Sequence, residues 1–89
     1  MKLHGEFVVR QIMDNTVAIP VGQTVLQLNG MILLNDVSKV IWECLEQGTE
    51  LAGVVKAMTD QFEVSPEEAE TDILEFWDKL RNLSLLEEK

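Results

Sequence analysis

The chain has 89 residues, 46% hydrophobic and 26% charged, which is enough for a single domain, residues 1–89, around one modest core. All of its net charge of −9 lies in residues 36–89, where 14 acids face five bases, while residues 1–35 are neutral; such an acid surplus argues against nucleic acid as a partner, because phosphate contacts rest on Lys and Arg. No apolar run approaches a membrane span, the N-terminus lacks a signal-peptide core, and Cys44 has no second cysteine to pair with, so a cytoplasmic location away from membranes is expected.

Taken in chain order, strands within residues 7–34 come first. Phe7-Val8-Val9-Arg10-Gln11-Ile12-Met13 is β-branched and apolar, Asp14-Asn15 marks a turn, and Thr16-Val17-Ala18-Ile19 resumes the pattern up to Pro20. Both turn residues tolerate the positive φ of a tight hairpin. Gly22 opens a loop, and Val25-Leu26-Gln27-Leu28 is a short strand or bulged extension before a second turn at Asn29-Gly30. Met31-Ile32-Leu33-Leu34 is the third strand, and its four consecutive apolar residues predict cover on both faces.

Three helices follow, at about 36–47, 50–62 and 66–83. Asn35-Asp36 can cap the first, whose stripe is Val37, Val40, Ile41, Cys44 and Leu45, and Gly48 ends it. Thr49 can cap the second, with Leu51, Val54, Val55, Met58 and Phe62 as its apolar face. Ser65-Pro66-Glu67-Glu68 combines an N-cap serine, proline at the first helical position and a capping-box glutamate. Val64 and Ala69 stand at staple positions there. Ala69, Ile73, Phe76, Trp77, Leu80 and Leu83 form the third helix's apolar face.

Little in the chain suits catalysis. His4 is the lone histidine, near a terminus expected to fray, and Cys44 lies in an apolar stripe, as a structural thiol does. One histidine and one cysteine cannot assemble a structural zinc site. The acids Glu67, Glu68, Glu70, Asp72, Glu75 and Asp78 read as a solvated helix face. No glycine-rich loop follows a strand as phosphate binding requires. No catalytic residue, metal or cofactor is expected, and the chain does not read as an enzyme.

Leu33-Leu34-Asn35-Asp36-Val37, Ile41-Trp42-Glu43, Leu45, Gly48-Thr49 and Val54-Val55, then Asp72-Ile73-Leu74-Glu75-Phe76, Leu80 and Leu85-Leu86, resemble the PqqD-like family. Val9-Arg10-Gln11-Ile12, Ile19-Pro20-Val21-Gly22 and Asn29-Gly30 extend the resemblance over residues 7–86. It implies an α+β, winged-helix-like fold, an N-terminal three-stranded antiparallel sheet packed on three C-terminal helices. It also implies a non-catalytic recognition element. Such elements hold the leader of a ribosomally made precursor peptide and present it to a modifying enzyme, often a radical S-adenosylmethionine maturase. The leader would add beside the third strand, at Met31, Ile32, Leu33 and Leu34, and pack against the third helix, at Ile73, Leu74, Trp77 and Arg81.

The residues agree with that mode on their own terms, since an edge strand offers unpaired N–H and C=O groups to an added strand. On a helical wheel Leu74, Trp77 and Arg81 share one shoulder of the third helix. The stretch from Val21 to Asn29 is longer than the family's usual connection, and a strand at 25–28 would move the open edge elsewhere. Exposed edges also permit a homodimer. Rival readings are a winged-helix nucleic-acid binder, another protein-interaction module, and a carrier protein modified at Ser38. The acidic third helix argues against the first, and the β-rich opening third against the last.

Overall fold

The structure, a computed structural model, describes residues 2–28 and 30–87. Its elements are β1 (Lys2–Leu3), β2 (Phe7–Ile12), β3 (Asn15–Pro20), α1 (Thr24–Gln27), β4 (Ile32–Leu34), α2 (Asp36–Glu46), α3 (Leu51–Gln61), α4 (Pro66–Asn82) and β5 (Leu86–Glu87). The fold is α+β, with an antiparallel sheet in the order β2-β3-β4 followed by the three long helices. No helix among the described residues is long and apolar enough to cross a membrane.

β2 and β3 form the expected hairpin, with its turn one residue earlier than Asp14-Asn15. Ile12 pairs with Asn15, which leaves Met13 and Asp14 as the two central residues. Met13 takes φ 58°. A positive φ at the first central residue alone is the pattern of a type II′ turn, where glycine is the usual occupant. The register continues through Phe7↔Pro20, and β3 then pairs with β4 as Ala18↔Ile32, Val17↔Leu33 and Thr16↔Leu34.

Strand alternation sets which residues enter the core. Ala18, Ile32 and Leu34 face the helices and are buried. On that same face Phe7 meets the ring of Trp42 edge to face, with centroids 5.0 Å apart and planes at 88°. Such a pair contributes about 0.5–1.5 kcal/mol beyond the area it buries. Trp42 lies outside the expected stripe of α2 yet is wholly buried. α2 packs against α3 and α4 on one side and the sheet on the other, so its buried face is wider than one stripe.

The strand or extension expected at 25–28 is instead one helical turn, α1. Gly22, at φ 60°, reverses the chain into it, and Thr24 Oγ1 accepts a 2.7 Å bond from the Glu6 N–H. That buried hydroxyl ties the loop to the strand entering β2. Asn29 lies outside the described residues, so the Asn29-Gly30 turn is described only at Gly30.

The capping box expected at Ser65 is formed, and the cap expected at Asn35-Asp36 is a capping box as well, made by Asn35. Asn35 accepts from the Ser38 N–H while Ser38 Oγ accepts from the Asn35 N–H, each at 2.8 Å. Ser65 and Glu68 make the same exchange at the start of α4. α3 differs: its N-cap is Glu50, with no side-chain cap, rather than Thr49. Thr49 is already committed to the end of α2. Its N–H bonds the Cys44 carbonyl at 2.9 Å while the N–H of Gly48, at φ 74°, bonds that of Leu45 at 3.0 Å. That pair of bonds is a Schellman motif.

The N-terminal segment, expected to fray, is paired up to His4. β1 pairs antiparallel with β5 as Lys2↔Glu87 and Leu3↔Leu86, and the His4 N–H donates to the Leu85 carbonyl at 2.7 Å. A two-residue strand has no period long enough to register in sequence.

Candidate functional site

The hairpin register decides which backbone groups of β4 remain open. A two-residue turn makes Ile12 and Asn15 a hydrogen-bonded pair, and in an antiparallel ladder such pairs alternate with non-bonded ones. The bonded pairs of β2 and β3 are therefore Ile12–Asn15, Arg10–Val17 and Val8–Ile19, and the Val21 N–H continues the series to the Glu6 carbonyl at 3.0 Å. Thr16 and Ala18 then turn their N–H and C=O toward β4, where they bond Leu34 and Ile32. Leu33 is left with its own N–H and C=O pointing away from the sheet. Its side chain is 64% exposed, with Met31 beside it at 59%. The prediction of cover on both faces of this strand is thus overturned: Ile32 and Leu34 enter the core while Leu33 stands on the open face.

A groove opens where β4 runs into α2. A cavity of about 360 Å³ is lined by Asn35, Val37, Ser38 and Ile41 on one side and by Asp72, Glu75, Phe76 and Lys79 on the other. Its floor is apolar, from Val37, Ile41 and Phe76, and its rim is charged. A second cavity of about 270 Å³ flanks Asn35 toward the hairpin turn, lined by Asp14, Asn15, Thr16, Leu33, Leu34 and Asp36. Asn35 lies between the two and caps α2, so the strand edge leads directly into the groove.

The helix face turned to this groove is not the shoulder read from the wheel. Asp72, Phe76 and Lys79 are spaced i, i+4, i+7 and occupy one side of α4. Ile73 and Trp77 belong to the core, at 0% and 4% exposure. The Trp77 indole N–H is itself buried without an acceptor, so this ring presents no handle to solvent. Leu74 is exposed, but it lies about 200° round the helix from Phe76, at 100° per residue. Arg81 bonds the Asp78 carboxylate at 3.0 Å on the same far flank. Of the eight residues expected at the site, Met31 and Leu33 present side chains at the edge, and Leu33 also presents backbone. Ile32 and Leu34 hold the strand in place. The sequence reading of α4 looked for exposed apolar residues, whereas the wall of this groove is a half-buried Phe76 between charged neighbours.

Cys44 is half-buried, and burial pushes its thiol up from the ordinary range. A hydrogen bond with Thr49 opposes the shift to a lesser degree, and the neighbouring Glu43 carboxylate adds to it. The thiol therefore stays protonated at neutral pH, the opposite of what a nucleophile needs.

Fold and site together define a small α+β domain with one short strand edge open beside a helix-lined groove. The family described as coenzyme PQQ synthesis protein D (PqqD) matches residues 21–86, and the chain belongs to that family. A solved structure described as TbiB1 in complex with the TbiA(beta) leader peptide is similar at 29% sequence identity and a TM-score of 0.78. The similarity covers 100% of this chain and 98% of that one. No curated protein matches.

Proposed function

We propose that this domain binds the leader segment of a ribosomally synthesised precursor peptide as a strand added along β4, and presents the rest of the peptide to a separate modifying enzyme. A radical S-adenosylmethionine maturase is the kind of enzyme the family resemblance favours. The observation that carries the reading is the outward N–H and C=O of Leu33 beside a groove with an apolar floor. The family match and the leader-peptide complex of the structural neighbour support it. In strand addition the main chain supplies hydrogen bonds that any sequence can make, and pockets for alternate side chains supply selectivity. Leu33 offers the first, and Val37, Ile41 and Phe76 the second. The domain's own part is recognition rather than chemistry.

Isothermal titration with synthetic leaders of the precursors encoded beside this protein's gene tests the proposal. One of them binds one to one, with a dissociation constant in the micromolar range or tighter, near −8 kcal/mol or below. A domain that is folded by circular dichroism and gives no heat with any of these leaders would refute it.

A further inference from the structure

Charge is distributed along the β4 edge in a definite order. Residues 21–34 contain no Asp, Glu, Lys or Arg, so the approach to the strand and the strand itself are uncharged. Around Asn35 the picture reverses. The two cavities that meet there are lined by Asp14, Asp36, Asp72 and Glu75, with Lys79 as their one cation. Arg10, on the outer face of the sheet, pairs with Val17, which in turn pairs with Leu33. Its strand is therefore two removed from β4, roughly 10 Å away. Lys56 and Arg81 bond Asp60 and Asp78, outside both cavities.

We infer that the segment bound along β4 is apolar where it passes Met31 and Leu33 and carries Lys or Arg where it passes Asn35. This rests on the peptide-binding reading above and names the class of leader that fits. A groove with an apolar floor and a carboxylate rim matches the two-part side chain of lysine or arginine. The methylene stem lies on Val37, Ile41 and Phe76 while the head reaches Asp72 or Glu75. An acidic side chain in that place meets like charge. Exposed ion pairs each contribute modestly, from about 1.4-fold to about fivefold in affinity. Several acids around one end of the groove add selectivity and speed encounter more than they add affinity.

The probes are the leaders of the neighbouring precursors and versions with every Lys and Arg replaced by Gln. They are titrated into the wild-type domain and the double variant Asp72→Asn/Glu75→Gln, at 50 and 500 mM NaCl. Both substituted side chains are exposed, so the fold should tolerate the change. In low salt the Gln version of the binding leader is expected to bind about tenfold more weakly to wild type. The double variant loses about fivefold toward the natural leader and less than twofold toward the Gln version, and high salt closes both gaps. A third peptide, with Lys and Arg replaced by Glu, reports the same preference on the unaltered domain should the double variant not fold.

A leader that binds without any Lys or Arg, or whose Gln version binds equally well, overturns this inference and leaves strand addition standing. If no leader binds the folded wild-type domain, the peptide-binding reading falls and takes this inference with it.

Discussion

The sheet has two edges, and they differ in a way that length does not predict. β2 spans six residues and β4 three. By the same alternation β2 turns the backbone groups of Val9 and Gln11 outward, so it offers more open donors than β4 does. Yet β2 ends in exposed Arg10, Gln11 and Ile12, and a charged, polar edge resists pairing. β4 presents one outward amide, flanked by exposed Met31 and leading into the groove at Asn35. A backbone hydrogen bond contributes only about 0.5–1.5 kcal/mol net, because both partners leave water to make it. A longer ladder is therefore a weak basis for choosing an edge. An adjoining groove that buries side chains is a stronger one, and it lies beside the shorter strand.

The sharpest way to break this comparison is to place proline on each edge in turn. Leu33→Pro removes the outward N–H and puts a ring where an added strand must approach, while Ile32 and Leu34 keep the ladder to β3. Leader affinity should fall roughly 100-fold, about 2.7 kcal/mol, with the circular dichroism spectrum retained. Gln11→Pro makes the same change on β2 and should leave the dissociation constant within twofold. Equal losses from the two variants would mean that the edges are not distinguished as described.

A smaller effect separates the two flanks of α4. Phe76→Ala removes the aromatic wall of the groove and should weaken leader binding about tenfold, by analogy with anchor residues at interfaces. It also costs some stability, since Phe76 packs against the core. Leu74→Ala, on the far flank, should change affinity less than twofold by fluorescence titration. The reverse ranking would restore the shoulder of Leu74, Trp77 and Arg81 as the binding face.

These contrasts also mark what could be read from sequence. The hairpin, the three helices and two of their caps were legible because each rests on local chemistry: alternation, helical period, and a serine or asparagine just ahead of the first turn. The strand at 32–34 was legible for the same reason, but its place at an edge came from the family resemblance, since four consecutive apolar residues by themselves predicted cover on both faces. The α4 flank was not, because a wheel shows which residues are apolar but not which neighbour each side meets. The docking of α2 against α4 decides that Phe76 faces a groove and Trp77 the core. Nor did β1 and β5 announce themselves, since their pairing is between residues more than 80 positions apart and only two residues deep. The acids Asp72 and Glu75 were read as a solvated face. Their lining of the groove appears only once that docking is known.

The mildest test strengthens the β2 side and asks whether the β4 side responds. Met13 holds φ 58° at a turn position that favours glycine, and its side chain is 90% exposed. A non-glycine residue there is strained by roughly 1 kcal/mol, while the added side chain makes few contacts in return. Met13→Gly relieves that strain, although glycine's extra freedom in the unfolded chain offsets part of the gain. The net expectation is about 0.5 kcal/mol, a rise in Tm of roughly 2–4 °C for a domain of this size, measured by thermal melting. Because the turn joins β2 to β3 and leaves the Thr16–Leu34 and Ala18–Ile32 pairs untouched, leader affinity should stay within twofold. A stabilised hairpin that also changed affinity would show that the two edges are coupled through β3, and that the open edge at Leu33 depends on more than its own register.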